Sequence, residues 1–242
     1  MANENFEEFA YTAILELILG NRFKPGDFLL ETELARDLVL SRTPVRHALG
    51  QLVAEGFLEK KKKKGCYIPD VSAEDARQIF HLRETIEGLA AASAARFATD
   101  GNIAFLRTLV EKEQNPERTL SKMDVLEINK AFHLGIARFS GNRYLEHYCR
   151  HIFWRSNVYV FFYDRYYQEH IDYSELKTPE QHARVVAALE NRSDEKAGNL
   201  MKFHIRSTYE LLFMQLQHLK KRKQSTPDGL KKLTPELDST VI

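Results

Sequence analysis

Ser41-Arg42-Thr43-Pro44-Val45-Arg46 decides how the rest of this chain is read. A serine hydroxyl can cap the orphan amides of a helix start, and proline fits the first turn because its missing N–H had no intrahelical partner. Arg42 and Arg46, four apart, then share one helix face. Upstream, Glu31-Thr32-Glu33-Leu34-Ala35-Arg36-Asp37-Leu38 reads as a short helix, and Val39-Leu40 leaves only a tight turn before the next begins.

Helix, turn and capped helix form a helix-turn-helix, whose second helix enters the DNA major groove. Ala48, Leu49, Leu52 and Val53 give that helix a buried stripe, and Glu55-Gly56 ends it. Phe57-Leu58-Glu59 and Cys66-Tyr67-Ile68 read as two short strands joined through Lys60 to Gly65. Five successive lysines at the tip of such a hairpin make a wing suited to phosphate neutralisation with counterion release.

These pieces, with Pro25-Gly26, Glu31, Leu34-Ala35 and Gly65, resemble the N-terminal domain of the GntR family of winged-helix transcriptional regulators. The resemblance implies a double-stranded DNA partner, a pseudo-palindromic operator bound by a homodimer. Arg42 and Arg46 are the candidates for base edges or phosphate, since arginine can bridge guanine O6 and N7. Thr32 and Thr43 are placed to reach phosphates, Pro44 to touch sugar or a thymine methyl, and Gly65 with Lys64 to approach the minor groove. The competing reading of these charges is a solvated helix face and a solvated lysine run. The chain departs from the family pattern at Val39, where glycine is usual in the turn, and at His47, which replaces a common glutamate.

Composition sets outer bounds. The 242 residues, 43% of them hydrophobic, can bury a substantial core in one large domain or two modest ones. No run approaches the roughly 20 apolar residues of a membrane span, so a cytoplasmic chain with no membrane partner is expected. Net charge is only +1, so basic character is local, in the wing and in Lys220-Lys221-Arg222-Lys223. Two cysteines, Cys66 and Cys149, give no disulfide framework.

Phe6, Phe9, Ala10, Ala13, Ile14, Leu17 and Ile18 recur at helical spacing, which predicts an amphipathic helix over 4–19. Beyond Pro69 strand signals fade and helix follows helix. The first of these has the predicted stripe Ile79, Leu82, Ile86, Ala90, Ser93 and Phe97. The expected fold is mostly α: a winged helix-turn-helix domain over 1–70, an all-α bundle of six or seven helices over 71–222, and a disordered tail over 223–242.

The bundle carries polar residues at core-facing positions. Leu126, Asn129, His133 and Ile136 form one stripe; His182 heads Val185, Val186 and Leu189; His204 lies between Leu200 and Leu211. Burying several imidazoles without partners costs at least a few kcal/mol, and a divalent metal resolves that cost because neutral imidazole is its commonest protein ligand. A histidine satisfied within the core is the other reading, and spacing alone leaves both open.

The bundle resembles the all-α ligand-binding domain of the FadR branch of the same family, on Asn129-Lys130-Ala131-Phe132-His133, Gln181-His182, Phe203-His204, Ser140-Gly141-Asn142 and Arg83 with Glu87. That resemblance implies a divalent metal, zinc, nickel or manganese, held by Asn129, His133, His182 and His204. Asn129 stands where the branch has aspartate, so one negative charge is missing from the ligand set. Arg83 resembles the arginine facing the pocket, and beside a metal it would make a site for a small carboxylate. Its alternative is an i, i+4 ion pair with Glu87. Tyr159, Phe161, Phe162, Tyr163, Tyr166 and Tyr167 either line that pocket or pack in the core.

The implied function is a ligand-responsive transcriptional regulator, a repressor as most of the family are. The alternatives are a metal-dependent hydrolase and a regulator that senses acyl-CoA without metal. No glutamate sits beside His133, His182 or His204 as in H-E-x-x-H, and a hydrolase gives no account of the helix-turn-helix.

Overall fold

The computed structural model describes residues 2–115, 117, 119–164, 167 and 177–224, with side chains placed over 6–115, 117, 119–164, 167 and 177–212. The elements in chain order are α1 (Ala2–Leu19), β1 (Phe28–Leu29), α2 (Glu31–Asp37), α3 (Arg42–Ala54), β2 (Glu59–Lys61) and β3 (Gly65–Tyr67). Six further helices follow among the described residues: α4 (Ala73–Phe97), α5 (Asp100–Gln114), α6 (Lys122–Phe139), α7 (Arg143–Tyr163), α8 (Thr178–Glu190) and α9 (Asp194–Gln224). A mostly helical chain with an N-terminal winged helix-turn-helix and a C-terminal helical domain is thus what the sequence folds into. The expected tail, apart from Lys223 and Gln224 at the end of α9, lies outside the described residues, as does most of the polar segment before Pro179.

Local chemistry places most of the ends. Ser121 accepts from the Asp124 amide while Asp124 accepts from the Ser121 amide, a reciprocal box that starts α6. Thr99 and Asn102 do the same for α5, and the Ser72 hydroxyl accepts from the Asp75 amide at 3.0 Å to start α4. Ser41 is different. It holds the extended N-cap conformation before α3, but its hydroxyl caps no amide, contrary to expectation.

The wing is a three-stranded antiparallel sheet in the order β1-β3-β2, with Lys60 opposite Cys66 and Lys61 opposite Gly65. Two of the five lysines are therefore strand residues, and the tip is shorter than the sequence suggests. β1, only two residues long, pairs Phe28 with Tyr67 and Leu29 with Cys66, and no sequence pattern announced it.

Two amphipathic faces differ from those read in the sequence. On α1, Phe6 and Phe9 are half exposed, and Ala10, Tyr11, Ile14, Leu15 and Ile18 form the buried side. On α4, Leu82 and Phe97 point outward while Ala76, Phe80, Arg83, Glu87, Ala91 and Ala94 face inward. A buried ion pair had displaced the apolar stripe from its expected register.

The two halves share one apolar cluster. Ile14, Leu49, Leu52, Phe57 and Ile68 from the winged helix pack with Phe153, Trp154, Val158 and Phe161 of α7. Trp154 meets Tyr11 and Phe57 edge-on, with centroids 6.3 and 5.7 Å away. A fully buried ring such as Phe57 contributes about 1.5–3 kcal/mol by area, so this seam is a structural joint and not a loose linker. Just past α3, Gly56 takes φ 86°, and a Cβ there would stand 2.5 Å from the His151 ring of α7. Only glycine allows that approach.

Candidate DNA-reading face and metal centre

The first site follows from α3. Thr32, Arg42, Thr43 and Arg46 are exposed together on the helix-turn-helix, with Lys64 exposed and Gly65 half-buried, at φ 106°, in the wing. Pro44 is buried, so it serves the start of α3 and the domain core, and the expected contact with sugar or a thymine methyl has little surface to use. Glu31, at the first turn of α2, accepts from Arg42 at 3.3 Å and from Arg46 at 3.2 Å. One carboxylate thus holds both guanidinium groups on the exposed face. Val39 does adopt positive φ, 56°, in the turn before them. His47 pairs through Nδ1 with Glu7 of α1 at 2.7 Å.

The second site lies inside the bundle. α6 contributes His133, α8 His182 and α9 His204, all buried, and a nitrogen from each falls within 4.8 Å of one from the others. Their ring centroids are 4.7 to 5.4 Å apart. Each Nδ1 is already engaged: that of His133 with Glu87 at 2.6 Å, that of His182 with Glu113 at 2.9 Å, and that of His204 with Gln181 at 2.8 Å. An imidazole that donates from Nδ1 to an acceptor keeps its lone pair on Nε2. The Nε2 of His182 is buried and has no hydrogen-bond partner in the protein. With one ring nitrogen from each histidine within 4.8 Å of the others, the cluster can hold a divalent ion.

Burial favours the neutral form of His133 and His204. Burial pushes the His133 imidazole well below its ordinary range, against the pull of Glu87. Burial, then the neighbouring His182 and His133, depress His204 as well. For Glu87 burial acts upward, but Arg83 and His133 outweigh it and hold the carboxyl below the usual range. An ionised Glu87 beside a neutral His133 is the combination a metal ligand needs.

Arg83 takes the ion-pair alternative and also borders a cavity. It does form the i, i+4 pair, with Nε 2.5 Å from Glu87, and it also donates to Ser156 at 3.2 Å. It lines a small cavity of about 60 Å³ together with Asn129, His133, Asn157, Asp164, His204 and Thr208. Asn129 is half-buried, and its amide nitrogen donates to the Val125 carbonyl at 2.8 Å, one turn back. Tyr167 reaches the same cavity, whereas Tyr159 and Phe161 belong to the core; Tyr166 lies outside the described residues. Sequence reasoning missed Glu113 and Gln181 as partners of the histidines. Each lies on a helix face whose role appears only once the bundle is closed.

A DNA-reading module joined through a shared core to a helical domain with a buried, polar, ion-competent site defines a ligand-sensing transcriptional regulator. The comparisons with known proteins agree. The family described as bacterial regulatory proteins, gntR family, matches residues 6–68, and the FCD domain matches residues 78–207. The chain belongs to the GntR family and carries an FCD ligand-binding domain. It is 30% identical over 196 residues to the Nta operon transcriptional regulator of Aminobacter aminovorans, covering 80% of this chain and 88% of that protein. It is 28% identical to the HTH-type transcriptional repressor GlaR of Escherichia coli, covering 78% of this chain and 87% of that one. Among solved structures, E. coli McbR/YncC superposes with a TM-score of 0.71 over 89% of this chain and 99% of that one, at 24% identity, a likeness of fold. The relatives are transcriptional regulators and not enzymes, which removes the hydrolase alternative. Among the described residues no helix is long and apolar enough to cross a membrane.

Proposed function

We propose that this regulator is a cytoplasmic, homodimeric repressor that senses a small carboxylate at a divalent metal in its helical domain. The observation that carries the reading is the convergence of His133, His182 and His204 with each Nδ1 spoken for and His182 Nε2 unsatisfied. Asn129 lies against the same cavity and offers an amide oxygen as a fourth ligand. A bound zinc, nickel or manganese ion would give a carboxylate one point of attachment. Arg83 supplies the other: a guanidinium has five N–H donors, and Glu87 and Ser156 engage it at Nε and Nη1. The cavity of about 60 Å³ beside Arg83 and His133 supports a small acid as the ligand.

At the other end Arg42 and Arg46 read base edges or phosphate, Thr32 and Thr43 reach phosphates, and Lys64 with Gly65 follows the minor groove. Two subunits present two such faces to a pseudo-palindromic operator. The effector regulates by binding the DNA-competent and incompetent arrangements with affinities that differ by about 1–3 kcal/mol, the usual size of such coupling. The name of the relative GlaR, a repressor, supports the sign of regulation.

The test is a metal analysis of purified protein beside His133→Ala, followed by operator titration at fixed salt with candidate carboxylates. Metal in the wild type and its loss in the variant is the expected result. Equal metal content in both removes the site, and operator affinity indifferent to every small carboxylate removes the effector class.

A further inference from the structure

One carboxylate stands between the two ends of the proposed site. On α4, Glu87 accepts from the Arg83 Nε through Oε1 at 2.5 Å, and its Oε2 meets the His133 Nδ1 of α6 at 2.6 Å. All three side chains are buried. Arg83 is held from a second helix as well: its Nη1 donates to Ser156 of α7 at 3.2 Å, and its guanidinium carbon lies 5.2 Å from the centre of the Phe153 ring. Arg83 and His133 both border the small cavity, together with His204. Among the described residues that line it Glu87 does not appear, so it acts on a bound ion or acid only through its two partners.

A carboxylate on Nδ1 fixes the orientation of a metal-binding imidazole and raises its basicity as a ligand. A carboxylate that also holds a guanidinium has less charge to give that imidazole. We propose that Glu87 is a positioning residue that couples the two ends of the site: through it, whatever engages Arg83 changes how strongly His133 holds a divalent ion. The inference rests on the metal reading above. The coupling has a direction. Arg83 draws on the charge of Glu87, and an acid that occupies the guanidinium returns this charge to His133 and tightens the ion. By linkage the ion tightens the acid by the same factor. Ion and acid therefore bind cooperatively, with part of the coupling carried by a residue that touches neither.

The experiment uses the full chain stripped of metal and titrated with Zn²⁺ alone against a chromophoric chelator. Glu87→Asp keeps the charge on a side chain one methylene shorter, too short to hold both partners at once. It should weaken zinc by about 10- to 100-fold, the usual cost of losing such a partner. Arg83→Gln removes the competing cation and should tighten zinc by about fivefold or more, the lower end of such couplings. In the Glu87→Gln background that gain should vanish, and the double variant leaves no charge of the pair buried alone. An equal gain in both backgrounds means that Arg83 repels the ion directly, and overturns the coupling. Zinc affinity of Glu87→Asp within about threefold of wild type reduces Glu87 to a counter-charge and overturns it too. This variant retains every buried charge, so it decides the matter where a neutral substitution unfolds the core. A wild type that takes up no zinc overturns the metal reading itself, and this inference with it.

Discussion

Phe153 and Trp154, neighbours on α7 with ring centroids 5.7 Å apart and nearly perpendicular, meet different groups of residues. Phe153 lines the small cavity beside Arg83, 5.8 Å from the His133 ring and 5.2 Å beneath the Arg83 guanidinium. Trp154 lies in the seam against Phe57 and Tyr11, and the Tyr11 hydroxyl donates to Glu55, just past α3, at 2.7 Å. A shift at the cavity wall therefore has a short packed route to the end of the DNA-reading helix. Such contiguity is a spatial observation; coupling has to be measured.

Trp154 is the chain's single tryptophan, so its emission reports on this seam. Zinc followed by a carboxylate effector should change its intensity or wavelength. Phe153→Leu keeps an apolar side chain and removes the ring contact, worth about 0.5–1.5 kcal/mol for aromatic pairs. The expected variant binds operator as the wild type does without effector and responds less when effector is added. An unchanged response in titrations of both would take Phe153 out of the route.

The Glu31 carboxylate shared by Arg42 and Arg46 makes a prediction about DNA. Arg46→Ala should cost about 1–3 kcal/mol on the operator and relax preference at the bases it reads. Lys64→Ala should weaken all sequences alike and lower the slope of log affinity against log salt by about one. Glu31→Gln releases both guanidiniums from a competing anion, so nonspecific DNA should bind more tightly and the ratio of operator to random DNA should fall. Fluorescence anisotropy at several salt concentrations distinguishes the three.

Val39 holds φ 56° with a β-branched side chain 90% exposed, so it gains no packing to offset its backbone strain. Left-handed backbone costs an L-residue of this type about 1–2 kcal/mol, and asparagine tolerates it better. Val39→Asn should stabilise the protein by about 0.5–1 kcal/mol in chemical denaturation. A neutral or negative change would mean that the turn gains something from valine that burial does not reveal.

How much of this was legible in the sequence follows the range of the interactions. Pro44 in the first turn of α3 and the turn at Val39 are set by residues a few positions apart, and they announced themselves. The buried face of α4 did not, because Arg83 and Glu87 occupy core positions that an apolar pattern skips. His133, His182 and His204 stood out as polar residues on apolar stripes. Their partners did not: Glu87, Glu113 and Gln181 come from 46, 69 and 23 residues away and look like ordinary surface residues until the helices close. β1 escaped because two residues carry no periodicity.

Those buried rings also predict acid sensitivity. His133 and His204 are depressed in the folded chain below the ordinary histidine value near 6.5, His133 to about 4. Below that ordinary value the unfolded chain takes up protons that the folded chain refuses, so stability falls as pH drops from about 6.5 towards about 4. Glu87, whose folded value is lowered, acts in a more acidic window: its contribution is present above the usual carboxylate range and is lost only below it. The metal-free protein should therefore show a falling denaturation midpoint between pH 7 and 5, where few carboxylates titrate. His204→Asn removes one depressed ring and should flatten that slope. A midpoint constant across this interval would mean that the rings accept protons without penalty, and the neutral, inward-facing state on which metal binding depends would not exist.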